Sequence, residues 1–163
     1  MEVTLRKSKV KDDLLDLLLE QERTLVFSTF SLEMAHEIGE HLYQTALTRN
    51  MPVAIDITRN GQQLYHAALP GSSADNDAWI LRKSKVVMRF GHSSYYWGMH
   101  IEMSKMTLEG NYFLDPREYT AHGGSFPISI KDSGVIGTIT VSGLPSEDDH
   151  ALVVEILKRY LNV

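Results

Sequence analysis

The sequence predicts an α+β protein: one antiparallel sheet of about five strands with helices on both faces. Two observations carry this prediction. The turns Arg59-Asn60-Gly61-Gln62 and Lys131-Asp132-Ser133-Gly134 each separate two strand-like runs, and a tight turn joins only antiparallel neighbours. The elements also follow in the order α-β-α-β-β-α-α-β-β-α, with no internal repeat, linker or low-complexity tract. Helices must then cover the apolar faces of the sheet. A length of 163 residues suits a single domain over residues 1–163.

Taken in order, Val10 to Glu22 holds Leu14, Leu15, Leu17, Leu18 and Leu19 among acids and predicts a helix, with Asp12 and Asp13 at its positive N-terminal end. Thr24 to Phe30 is β-branched and aromatic and predicts a strand. Ser31 has the character of an N-cap for a helix reaching about Arg49, in which Met34, Ile38, Leu42 and Ala46 recur every four residues. Val53 to Thr58 and Gln63 to Leu69 are strands around Asn60-Gly61, a pair that accepts the positive φ angles of a type I′ turn. Pro70-Gly71-Ser72-Ser73 breaks the chain before a helix from about Ala74 to Phe90, with Gly91 as its stop. A shorter helix covers Ser94 to Met106, and Glu109 to His122 is a loop. Strands at Ser125 to Ile130 and Val135 to Ser142 precede a last helix, for which Ser146 is the N-cap, with Glu147, Asp148 and Asp149 in the first turn and Lys158 and Arg159 in the last.

Composition narrows the function classes. A net charge of -5 argues against a broad nucleic-acid footprint. The absence of cysteine excludes disulfides, thiolate metal sites and cysteine nucleophiles. The first eleven residues hold four cations and no apolar run, unlike a signal peptide. No stretch approaches the ~20 apolar residues that span a bilayer. These features lead to the expectation of a cytoplasmic protein with no membrane partner.

Lys83 is the residue that fits its element least well. At about 100° per residue it falls among Trp79, Ile80, Val86, Val87 and Phe90, the apolar arc of its helix. A buried ammonium needs a partner or loses its proton. Either its stem lies over the aromatics while the amine reaches a carboxylate, a carbonyl or solvent, or the amine faces a pocket and holds an anionic ligand. Arg82, Lys85 and Arg89 form a separate, solvated stripe.

Next along the chain, His92-Ser93-Ser94 combines two hydroxyls, an imidazole and a helix start. One serine suffices as a cap, and the same groups suit an anion. No Gly-x-Ser-x-Gly elbow is present, which speaks against a serine nucleophile. In His122-Gly123-Gly124 the paired glycines permit a close approach of the backbone, to a ligand or to the neighbouring chain. His36 with Glu40 and Glu37 with His41 have the spacing of metal chelates, but a solvated helix face explains them as well, and no metal is expected. His100 follows the aromatic run Tyr95-Tyr96-Trp97 and suits either a packed histidine or a haem ligand.

The stretch AHGGSFPISIKDSGVIGTITVSGLPSEDDHALVVEIL resembles the C-terminal half of the haem-degrading, GlcG-like domain family. The marks are Gly123, Gly124, Pro127, Gly134, Gly137, Val141, Ser142, Gly143, Asp148 and Asp149, and Lys83 matches a lysine that the family carries in the preceding helix. Over nearly its whole length, including RFGHSS, the chain resembles the branch known as uncharacterised protein family 0303. The resemblance implies a profilin-like fold, homo-oligomers and, for some relatives, haem. It transfers no catalytic residue. The leading expectation is a small-ligand-binding or sensory domain in a homo-oligomer, whose pocket for an anionic ligand is formed by Lys83, His92, Ser93, Ser94, His122, Gly123 and Gly124. One alternative is a haem-binding or haem-degrading protein with His92, His100 or His122 as axial ligand. The other is a structural or protein-interaction scaffold without a ligand.

Overall fold

A computed structural model describes the backbone of residues 2–163, with side chains from Val10 onward. Six helices and four strands follow in the order α1 (Glu2–Thr24), α2 (Leu32–Thr48), β1 (Ala54–Arg59), β2 (Gln62–Ala68), α3 (Ala74–Phe90), α4 (Ser94–Met103), α5 (Leu108–Tyr112), β3 (Ser125–Ile130), β4 (Gly134–Ser142) and α6 (Ser146–Leu161). The strands form one antiparallel sheet in the order β2-β1-β4-β3.

Strand alternation gives the sheet two unlike faces. Ile55, Ile57, Phe126, Ile128, Ile139 and Val141 share one face and pack with Ile38 and Leu42 of α2 and Leu152, Val153, Ile156 and Leu157 of α6 in the main core. The opposite face carries Asp56, Ser125, Thr138, Thr140 and Ser142, all buried. Helix α3 crosses this polar face, over β4, β3 and β1. Some of its polar groups are paired: Ser125 Oγ and Thr140 Oγ1 lie 2.8 Å apart, and Asp56 accepts from Thr58 Oγ1 at 2.7 Å and Gln63 Nε2 at 2.6 Å. Pro127 is tolerated in β3 because β3 is an edge strand.

Both hairpins form where the turn chemistry places them. Asn60 and Gly61 have φ of 50° and 79°, the type I′ pair. Gly91 ends α3 in the left-handed region at φ 75°, and Ser31 caps α2 by accepting from Met34 N at 3.1 Å.

Four expectations need correction. The sheet has four strands rather than five: of Thr24–Phe30, only Phe27 pairs, as a single parallel bridge to Ile130 on the free edge of β3. Between the end of helix α1 at Thr24 and the α2 cap at Ser31, the aromatics are used in the core instead, Phe27 against Phe30 at 5.0 Å. Helix α1 also starts well before Val10, so Asp12 and Asp13 lie within it rather than at its positive end. The Glu109–His122 loop holds the last residues of the short α5, capped by Thr107 Oγ1 on Gly110 N at 2.9 Å. Finally, Pro145, not Ser146, is the N-cap of α6. Its carbonyl accepts from Asp148 N and Asp149 N.

Candidate functional site

Lys83 points from the middle of α3 onto the polar face of the sheet, and only 3% of it is exposed. Its Nζ donates to Asp149 Oδ2 at 2.9 Å and to the Val141 carbonyl at 3.2 Å. Asp149, 1% exposed, lies in the first turn of α6. It also accepts from Leu144 N at 2.9 Å and Gly143 N at 3.3 Å, the two backbone donors of the bend between β4 and α6. Burial pulls the Lys83 ammonium down and pushes the Asp149 carboxyl up, while the mutual attraction and hydrogen bonds oppose both shifts. Four hydrogen bonds around two desolvated charges hold the pair ionised.

The Gly123-Gly124 pair is explained here. A Cβ on Gly124 would stand 2.3 Å from the Val141 oxygen and 2.8 Å from Lys83 Nζ; one on Gly123 would stand 2.1 Å from the Ser146 oxygen. The glycines let the strand entering the sheet pass directly over the ion pair.

The pair is not sealed. A cavity of about 350 Å³ opens beside it, lined by Lys83 and Asp149 with Asn76, Trp79, His122, Ser142, Gly143, Leu144 and Ser146. His122 is exposed, meets Trp79 edge-on at 5.1 Å, and pairs through Nδ1 with Thr120 Oγ1 at 2.6 Å. Partial desolvation of its ring against Trp79, then the nearby Lys83 and Arg82 charges, hold its pKa below the usual histidine value, so it is neutral at pH 7. Arg82 lies over the Trp79 ring at 4.2 Å.

The His92-Ser93-Ser94 turn does not reach this cavity. His92 Nδ1 meets Glu22 Oε2 at 2.6 Å, a contact that raises the His92 pKa. His92 lines a different cleft of about 650 Å³, together with Leu19, Arg23 and Lys131. Ser93 Oγ caps α4 by accepting from Tyr96 N at 3.1 Å. Ser94 Oγ accepts from Ser125 N at 3.0 Å and joins α4 to β3. Both serines are fully buried. His100 lies among aromatic rings, 5.0 Å from Trp97 and 5.9 Å from Tyr96. The helical His/Glu pairs serve tyrosines: Glu40 accepts from Tyr65 and Glu37 from Tyr160.

Of the predicted site residues, then, the fold brings Lys83, His122, Gly123 and Gly124 together and leaves the turn at His92 elsewhere. Asp149 and Ser142 were not foreseen. Asp149 could have been found: it stands three, four and seven residues before Leu152, Val153 and Ile156, on the buried face of α6, where a carboxylate requires a cation.

The structure therefore defines a mixed helix-and-sheet fold whose four-stranded antiparallel sheet carries a buried lysine–aspartate pair beside an open, polar cavity. The model of the HbpS-like haem-degrading protein family matches residues 30–158, and the chain belongs to that family. A UPF0303 protein of Streptomyces coelicolor is 54% identical over 142 residues, 87% of this chain and 90% of its own. The crystal structure of the Ybr137w protein aligns with a TM-score of 0.86 at 34% identity, covering 99% of this chain and 95% of that one. The PduOC:heme complex aligns with a TM-score of 0.67 over 79% of this chain and 93% of its own. At 15% identity this last likeness concerns the fold alone.

Proposed function

We propose that the protein is a binding domain for a small anionic ligand, held in the cavity beside Lys83. One observation carries the reading. An ammonium that is 3% exposed, and has used two of its three protons on Asp149 and Val141, still lines an open cavity. A purely structural ion pair has no need of that opening, which weighs against the scaffold reading. The cavity volume lies at the lower end of the ~300–1,000 Å³ usual for ligand sites, so the ligand is small. The test is calorimetric titration of the purified protein with inorganic phosphate, sulfate and simple carboxylates. Binding of at least one anion that is lost in Lys83→Met supports the reading; no binding by any of them removes it.

Haem is the second reading, favoured by His122. This is the one member of the trio His92, His100 and His122 that lines the cavity. Its Nδ1 is anchored by Thr120, which leaves Nε2 of a neutral ring as the available metal ligand. Bound there, haem would supply redox-active iron. A shifted Soret band that disappears in His122→Ala supports this reading, and a haem titration without a shift removes it.

We further propose that the protein assembles as a homo-oligomer. Leu81 and Met88, seven residues apart on α3, are 64% and 50% exposed, and Phe113 is 90% exposed. Such residues suit a contact between copies. Light scattering of the eluted protein measures the subunit count.

A further inference from the structure

From the hydrogen bonds left unmade in the Lys83 cavity we infer that its ligand is a small monocarboxylate with a short apolar or aromatic tail. The inference rests on the proposed anion pocket and specifies the class of anion. Ser142 is its key residue. It is 3% exposed, lines the cavity, and its hydroxyl has no hydrogen-bond partner among the described residues. Of the other buried hydroxyls of this face, Ser125 and Thr140 are paired with each other, and Thr138 does not line the cavity. The sealed polar atoms without a partner among the described residues are Arg59 Nε, Trp97 Nε1 and His150 Nδ1, so the Ser142 hydroxyl opens onto the cavity, where a ligand oxygen can take the place of water. Lys83 adds one N–H beyond those spent on Asp149 and Val141. Asn76 adds its amide N–H₂, since its Oδ1 is already taken by Ser73 N at 2.8 Å.

The wall therefore offers donors, while its carboxylate is spent: Asp149 already accepts from Lys83, Gly143 and Leu144. A ligand head matching this wall accepts through more than one oxygen and donates nothing. Charge selects among such heads. Lys83 and Asp149 cancel, His122 is neutral, and Glu147 and Asp148 flank Ser146 at the start of α6. Against this negative surplus a dianion such as phosphate meets about twice the repulsion that a monoanion meets, so a single negative charge, taken up by the remaining N–H of Lys83, is favoured. Trp79 and Leu144 supply the apolar part of the lining, where a short hydrocarbon or ring is accommodated.

The test uses the full-length protein, dialysed free of small molecules, and titrates benzoate, benzamide and inorganic phosphate by calorimetry. Benzoate is expected to bind one per chain, more tightly than phosphate, with no measurable binding of benzamide. Ser142→Ala removes a hydroxyl that makes no bond within the protein, so its urea midpoint stays unchanged while benzoate affinity falls roughly tenfold or more, the effect of a lost hydrogen bond to a charged group. Asn76→Ala provides a second variant with the same expected direction. Phosphate binding more tightly than benzoate, benzamide binding as well as benzoate, or unchanged benzoate affinity in both variants overturns the monocarboxylate assignment and leaves the wider reading standing. If no anion binds the wild-type protein, the pocket reading fails as well.

Discussion

Lys83 shows how a single side chain exposes a conflict that only its surroundings resolve. Its place on the apolar arc of α3 follows from sequence spacing, and so does the need for a partner; the identity of that partner does not. Asp149 lies 66 residues away, and its carboxylate is oriented by the backbone donors of Gly143 and Leu144. Removing one member strands the other charge. Lys83→Met is expected to cost about 3–5 kcal/mol in urea unfolding. Adding Asp149→Leu should restore much of that loss, because an apolar pair of similar volume needs no desolvation of charge. A double variant no more stable than Lys83→Met alone would show that the pair is not coupled in this way. Ser142 was invisible for a related reason: nothing in a Val-Ser-Gly string tells which serine keeps its hydroxyl unpaired.

At the scale of elements, local chemistry served best where the chain decides its own geometry. Asn60-Gly61, Gly91 and Ser31 each act through φ angles or hydrogen bonds within a few residues, and each forms as its residue type predicts. Thr24–Phe30 has the composition of a strand, yet strand formation depends on meeting a partner edge, and of this stretch only Phe27 does. Ser146 looks like a cap, but Pro145 holds that position. The glycines give a graded test. Gly61→Ala meets no atom within 4 Å but keeps a φ of 79°, and should cost about 1 kcal/mol. Gly123→Ala drives a Cβ to 2.1 Å from the Ser146 backbone oxygen, and should cost about 2–3 kcal/mol while weakening ligand binding at the Lys83 cavity. Equal midpoints for the two variants in denaturant would contradict this account of the glycine pair.

For the whole molecule, two histidines make opposite contributions to stability against pH. His150 is 4% exposed, packs near Tyr95 and Phe126, and contacts Gln21 of α1 through Nε2 at 2.8 Å. Burial pushes its pKa down to about 4. Between its ordinary value near 6.5 and about 4 the unfolded chain takes up a proton that the folded chain refuses. Stability is therefore complete above this window and declines as pH falls through it, by up to about 3 kcal/mol for this group. His150→Phe should flatten that part of the acid limb, as measured by urea unfolding at pH 7 and pH 4.5; an unchanged difference between the two pH values would rule this out. His92 acts the other way. Glu22 raises its pKa, so its contribution is complete below the ordinary value and is lost as pH rises through the folded one. A ligand at the Lys83 cavity should add to stability by mass action: at a hundredfold excess over its Kd, unfolding should need about 2.7 kcal/mol more, read as a raised midpoint that Lys83→Met abolishes.

By itself the sequence determined the α+β class, both hairpins, the limits of α2 and α3 and the anomaly of Lys83, because propensity, periodicity and turn geometry act over a few residues of chain. Tertiary structure alone decided the four-strand sheet, the union of Lys83 with Asp149 under Gly124, the cavity shared with His122 and Ser142, and the separation of that cavity from His92. These depend on which surfaces meet across α3, β4 and α6, and on which buried charges and hydroxyls find partners when they do.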